Sequence, residues 1–214
     1  CSINIDTNLE PLHKDLLFLK HGFNLVIGES KSGKTFTTIM SLVDFGFQED
    51  IIHIDFDRNS DKALEDLNVE TYHINNAKEL FEKLAKNKAF EPLKEKIIVI
   101  DSLQDLGLED GIDTNSAALD TMNRVAIFGN TGATLIVIHH VTLEKVGSAK
   151  IPKIKGNTST ISSKCDTSIL LRKENKKRTM TVMFSRAENI LASGKSISFN
   201  GTKKVSVLQN VIKE

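Results

Sequence analysis

Residues 23–43, FNLVIGESKSGKTFTTIMSLV, join three kinds of sequence in one short stretch. An apolar run rich in β-formers, Phe23 to Ile27, leads into a loop of small and polar residues. A segment of helical period follows, with Phe36, Ile39, Met40 and Val43 at i, i+3, i+4 and i+7 and Gly46 where a helix would end. The loop, Gly28-Glu29-Ser30-Lys31-Ser32-Gly33-Lys34-Thr35, satisfies G-x-x-x-x-G-K-[ST] at every position. Between a strand and a helix, such a loop cradles phosphates: glycines let backbone N–H groups turn inward, and the helix N-terminus adds its dipole. Gly28, Glu29, Ser30, Lys31, Ser32, Gly33, Lys34, Thr35 and Phe36 are therefore the candidate nucleotide-binding segment. Lys34 is expected to reach the β and γ phosphates of a nucleoside triphosphate, and the Thr35 hydroxyl to hold Mg²⁺.

Outward from this stretch, short apolar runs recur at Ile51 to Ile54, Thr71 to Ile74, Ile97 to Ile100 and Thr134 to Ile138. Each is nearly continuous rather than alternating, as expected of strands buried on both faces. Helical patterns lie between them: Ala77 to Asn87 carries Leu80, Phe81 and Leu84, and Ser116 to Phe128 carries Leu119, Met122 and Val125 or Ala126. The alternation predicts an α/β fold of right-handed βαβ units, a mainly parallel central sheet flanked by helices. Past residue 167 the pattern changes. SILLRK and TMTVMF flank a turn rich in Lys and Asn, and SISF and KVSVL flank Asn200-Gly201, a hairpin signal. A single domain over 1–214 is expected, with 168–214 extending the sheet by antiparallel strands.

Composition narrows the partners. Lys plus Arg and Asp plus Glu number 28 each, so no global field draws the chain to nucleic acid or to a membrane, and such binding would need a local patch. Two cysteines, Cys1 and Cys165, are too few for a disulfide framework and suit a reducing compartment. No apolar run approaches the ~18 residues of a membrane span. A cytoplasmic protein with no membrane partner is expected. A chain beginning at Cys1 is expected to be a trimmed product, and Cys1 is given no role.

Three further elements bring chemistry to the edge where the glycine loop lies. KIIVIDSLQDL delivers Asp101 to the C-terminal end of a strand, where open α/β sheets bind ligands, and Asp101 is the expected Mg²⁺ partner of Thr35. IIHIDFDRNSD delivers Asp55 and Asp57 to the same edge, and Asp57 is the candidate for orienting the attacking water. ATLIVIHH ends a strand with His139 and His140, of which one can point to the ligand edge as a γ-phosphate sensor. No further His or Cys lies near them at ligand spacing, which argues against zinc.

The P-loop, the acid-ended second strand, IIVIDSL and TGATLIVIHH, in this order, resemble the RecA-like P-loop ATPases. The likeness is in particular to the RepA-type hexameric replicative helicases and related AAA-family ATPases of plasmids and phages, and residues 23–186 carry it. IKGNTSTISSKCDTSILLRK looks like the family's Gly-Ser/Thr helix running into an Asp and a strand. The resemblance implies ATP with Mg²⁺, a homo-oligomer in the form of a hexameric ring, and single-stranded DNA as partner. It places the family's catalytic Glu at Asp57, a shorter acid. In the family's Lys-x-Arg pair, which reaches a neighbouring subunit's nucleotide, it keeps Arg186 but has Phe184 in place of the Lys.

VTLEKVGSAKIPKIKG, read as a loop after the histidines, carries Lys145, Lys150, Lys153 and Lys155, which could track phosphates without reading bases. It lacks stacking aromatics, and the segment DLGLEDGID is acidic through Glu109, Asp110 and Asp113. Two functions stay open at this stage. One is a helicase-like ring motor, the other an ATP-dependent single-strand-binding mediator of recombination that hydrolyses slowly. A small-molecule kinase ranks behind both, because the chain shows no evident Arg-rich lid.

Overall fold

The computed structural model describes residues 9–56, 64–74, 93–106, 111–200 and 205–208. A small ribbon of β1 (Glu10–Pro11) and β2 (Leu19–Lys20) precedes β3 (Phe23–Gly28), α1 (Lys34–Asp44), β4 (Ile51–Asp55), β5 (Glu70–His73) and β6 (Ile97–Asp101). Then follow α2 (Asn115–Gly129), β7 (Thr134–Val146), β8 (Ala149–Ile154), α3 (Thr158–Lys164), β9 (Thr167–Glu174), β10 (Lys177–Ser185), β11 (Ser196–Asn200) and β12 (Val205–Leu208).

Among the described residues the main sheet has ten strands in the order β12-β11-β10-β9-β3-β7-β6-β4-β5, with β8 paired to β7. β9, β3, β7, β6, β4 and β5 are mutually parallel, while β10, β11 and β12 continue from β9 as an antiparallel meander. The expected α/β sheet with an antiparallel extension is what forms.

Side-chain alternation on β3 divides the core. Val26 packs with Ile39, Met40 and Leu42 of α1 and with Ile169 and Leu171 of β9. Leu25 and Ile27 face the opposite layer, where Met122, Val125 and Phe128 of α2 and Ile161 of α3 cover the sheet. Helices on both faces explain the unbroken apolar runs of β3, β6 and the first half of β7. α2 and α3 are each started by a side chain: Thr114 Oγ1 accepts from the Ala117 N–H at 3.2 Å, and Asn157 Oδ1 from the Thr160 N–H at 3.1 Å.

Asn24 sits fully buried inside the apolar run of β3. Its Oδ1 accepts from the Leu19 N–H at 2.7 Å, and its Nδ2 is within 3.0–3.1 Å of the Leu19, Gly22 and Leu135 carbonyls. It thereby pins the chain's entry into the sheet and leaves no polar atom of its own side chain unpaired.

Two expectations are corrected. β5 is an edge strand with Glu70, Tyr72 and His73 exposed, not a strand buried on both faces, because only β4 flanks it among the described strands. The segment after the histidines is not a loop. β7 runs unbroken to Val146, turns at Gly147 (φ 64°) and returns as β8, so 141–154 is a hairpin standing beyond the sheet edge. The helix expected over Ala77 to Asn87 lies outside the described residues.

Candidate nucleotide site

β3 ends at Gly28, while its neighbours β7 and β9 both continue past it. This leaves a slot above β3, and the glycine loop turns within it. Gly28 is demanded by its surroundings: a Cβ there would stand 2.8 Å from the Leu171 carbonyl oxygen and 3.2 Å from Ser32 Oγ. Gly33 is demanded by its backbone, with φ 83° in the left-handed region. The Gly33 carbonyl accepts from the Thr37 N–H at 2.9 Å and opens α1, whose first turn has no side-chain cap and no acid. The positive dipole end of α1 therefore faces the loop with neither a side-chain cap nor an acid to offset it.

Lys34 lies almost buried under this loop. Its Nζ donates to the carbonyls of Gly28 (3.1 Å) and Glu29 (2.9 Å) and lies 3.4 Å from His140 Nδ1. The Thr35 hydroxyl donates to the Asp101 carboxylate. The two residues expected to share Mg²⁺ are thus brought into contact from the start of α1 and the end of β6. A hydroxyl and a carboxylate side by side are hard oxygen donors of the kind Mg²⁺ takes alongside phosphate oxygens. The buried Ser32 Oγ has no hydrogen-bond partner among the described residues. An orphaned polar group, an uncapped helix start and a buried lysine together make the loop fit a polyphosphate.

β4 places Asp55 beside Asp101 in register, fully buried, with His73 Nδ1 3.9 Å from its Oδ2. Asp57, the candidate base, lies outside the described residues.

The two histidines have separate environments. His140 aligns with Gly28 and faces Lys34. His139 is fully buried, and its Nε2 donates to the Lys155 carbonyl at 2.7 Å. Burial, partly countered by that hydrogen bond, pushes its pKa down to about 4, so the ring is neutral. Of the two, His140 is thus the one that faces the glycine loop, while His139 fastens β7 to the returning chain.

The four lysines are not equivalent. Lys155 Nζ donates to Gln104 Oε1 at 2.8 Å, and its N–H donates to the His140 carbonyl at 3.1 Å. Lys153 pairs with Glu144 at 3.3 Å. Lys145 and Lys150 stand directly opposite each other, exposed, near the hairpin tip.

Arg186 lies at the opposite end of the strands from its own chain's P-loop, just past the end of β10. Its N–H donates to the Asp166 carbonyl at 2.7 Å, and its guanidinium meets the Asp166 carboxylate at 3.6 Å and the Ser163 carbonyl. Asp166 in turn accepts from the N–H of Phe23, where β3 begins.

Sequence reasoning missed Arg178. Its guanidinium lies 3.0–3.4 Å from where a Cβ on Gly33 would be. In the sequence it closes the run KENKKR, which reads as a solvated turn, and no linear signal connects it to the P-loop.

A cavity of about 610 Å³ opens beside the loop between Glu29–Ser32, the hairpin residues Val141, Leu143 and Pro152, and Leu170–Glu174 of β9. Its size is that of ordinary small-ligand sites. The fold is shared with known proteins. A crystal structure of the RadB recombinase superposes with a TM-score of 0.60 at 15% identity, covering 90% of this chain and 93% of that one. The fold is RecA-like. A DnaB-like replicative helicase, solved for its interactions with primase, gives a TM-score of 0.59 at 11% identity over 85% of this chain. The chain spans 56% of that helicase's length. A separately solved ATPase domain gives 0.60 at 12% identity over 84% of this chain and 81% of that one. No family model and no curated protein matches the sequence. In the RecA-like frame the P-loop strand is internal, and Asp101 and His140 reach it from one flank, β9 and β10 from the other. No helix among the described residues is long and apolar enough to cross a membrane.

Proposed function

We propose that the chain is a Mg²⁺-dependent ATPase acting on single-stranded DNA, a helicase-like ring motor of replication or recombination. The observation that carries the reading is the convergence of Lys34, Thr35, Asp101 and His140 on one phosphate-sized loop. Lys34 and the α1 start would bind the phosphates, Thr35 and Asp101 the metal, and His140 would report the γ-phosphate. Bound Mg²⁺ would neutralise charge developing on the transferred phosphoryl group. Asp57 is proposed to orient the attacking water.

Two features support the partners. Lys145 and Lys150 face each other across the hairpin, a like-charge pair that is unfavourable alone and relieved by a phosphate backbone. At the opposite end of the strands, Phe184 is exposed close to Arg186, which suits a surface covered by a neighbouring copy in a ring, with Arg186 turned to that copy's nucleotide.

The test is steady-state ATP hydrolysis with and without single-stranded DNA in wild type, Lys34→Ala and Asp57→Asn. A Lys34-dependent rate that rises with DNA and falls at least about 100-fold in Asp57→Asn is expected. A rate indifferent to DNA would remove the DNA partner. ATP-dependent assembly on DNA without translocation would favour the slow-hydrolysing mediator over the motor.

A further inference from the structure

β10 runs antiparallel to β9 and begins at the level of the P-loop: Arg178 is opposite Lys173, and Met180 is opposite Leu171, which itself aligns with Gly28. Because side chains alternate along a strand, Arg178 projects on the same face as Met180, the face covered by α1. That direction brings its guanidinium against Gly33, at the start of α1.

Two observations show that this contact is unfinished. Arg178 Nε is buried with no hydrogen-bond partner among the described residues, a costly state for a charged donor. Its cross-strand neighbour on the same face is Lys173, and like charges directly opposite each other destabilise a sheet. A cationic pair, an orphaned donor and an uncapped helix start together call for an anion.

The sheet order says which part of the anion. Asp101, Thr35 and His140 gather on the β7 and β6 side of the loop, where the metal and the terminal phosphate belong. Arg178 stands on the opposite flank, beyond β9. We propose that Arg178 is a nucleotide-binding residue supplied by the same chain, and that it holds the α-phosphate end of the nucleotide. The assignment rests on the P-loop reading above. It differs from an arginine that senses the γ-phosphate in one measurable respect: it acts on nucleoside di- and triphosphates alike.

The experiment is equilibrium binding of Mg-ATP and Mg-ADP to wild type, Lys34→Ala, Arg178→Met and Arg178→Lys, each checked for folding by thermal melting. Arg178→Met keeps a long unbranched side chain on that face of β10 and removes the guanidinium that lies against Gly33. It is expected to weaken ATP and ADP by the same factor, about tenfold, as loss of a charge-assisted hydrogen bond does. It should also flatten the salt dependence of binding, and Arg178→Lys should recover part of both. Purely structural packing would leave the salt dependence untouched. Wild-type affinity in a folded Arg178→Met, alongside a Lys34→Ala defect, overturns this proposal and leaves the P-loop reading standing. Weakening of ATP alone overturns the α-phosphate assignment. Absence of Lys34-dependent binding in the wild type removes both.

Discussion

His139 and Lys155 are joined by a 2.7 Å hydrogen bond from the imidazole Nε2–H to the backbone carbonyl, buried where β7 leaves the sheet and the hairpin returns to it. The other ring nitrogen, Nδ1, is buried with no hydrogen-bond partner among the described residues, so a second proton there would meet no acceptor. Burial accordingly holds the imidazole neutral, with a pKa of about 4. Unfolding restores an ordinary histidine near 6.5. Between these values the unfolded chain binds more protons than the native one, so stability falls as pH drops through the window.

From pH 7 to pH 5 this single group should remove about 2 kcal/mol of unfolding free energy. His139→Gln keeps a donor for the Lys155 carbonyl without the titration. Chemical denaturation of both proteins at the two pH values should therefore show a smaller pH loss in the variant. Equal losses would mean that the imidazole charges freely in the native state.

Gly28→Ala introduces a Cβ 2.8 Å from the Leu171 carbonyl, a backbone atom that cannot swing aside as a side chain can. The strand pair β3–β9 must part at the floor of the phosphate slot. A loss of about 1–3 kcal/mol in stability, as for other overpacked sites, and weaker nucleotide binding are expected together. Thermal melting and nucleotide titration of the variant check both, and an unchanged melt would show that β9 yields more readily than its pairing suggests.

On the proposed reading that the chain binds single-stranded DNA, Lys145 and Lys150 together should account for part of the salt sensitivity of that binding. Each phosphate contact on a single strand contributes about 0.7 to the slope of log affinity against log salt. Lys145→Ala combined with Lys150→Ala should lower that slope by about 1.4. Lys155→Met should leave it unchanged, because Lys155 is engaged with Gln104. Fluorescence anisotropy of a labelled oligonucleotide across a salt series measures this, and the reverse ranking would exclude the hairpin tip as the contact.

That Lys34, Thr35, Asp101 and His140 would meet at one end of the sheet was legible in the sequence because each lies in a short contiguous run of its own. Gly28 to Thr35 form one motif, and Asp101 and His140 each end a run of β-formers, so each could be carried to the ligand edge by its own strand. The hairpin was harder to see. Its exposed strands carry Lys, Glu and Gly instead of an apolar run, and their order comes from pairing with each other and from the His139–Lys155 bond. β5 misled in the opposite way: Thr71 to Ile74 has the composition of a strand but sits at an edge. Arg178 was invisible because its meaning depends on two pairings, β10 with β9 and β9 with β3, that bring it to a glycine far away in the chain.

Asn24 and its strand also govern when the molecule becomes whole. β9 to β12 pair as sequence neighbours and can zip quickly from local contacts. β3 has no local partner in the sheet: Asn24 reaches Leu135 across 111 residues, and the Phe23 N–H reaches Asp166 across 143. Contacts of such separation form slowly, because the chain between them must first be closed into a loop. The walls of the phosphate slot therefore assemble late, after both distant partners have arrived. On the proposed reading, nucleotide affinity would appear in one step with the finished sheet, so that on a folding pathway a bound nucleotide would report completion of the sheet and give little help to its beginning.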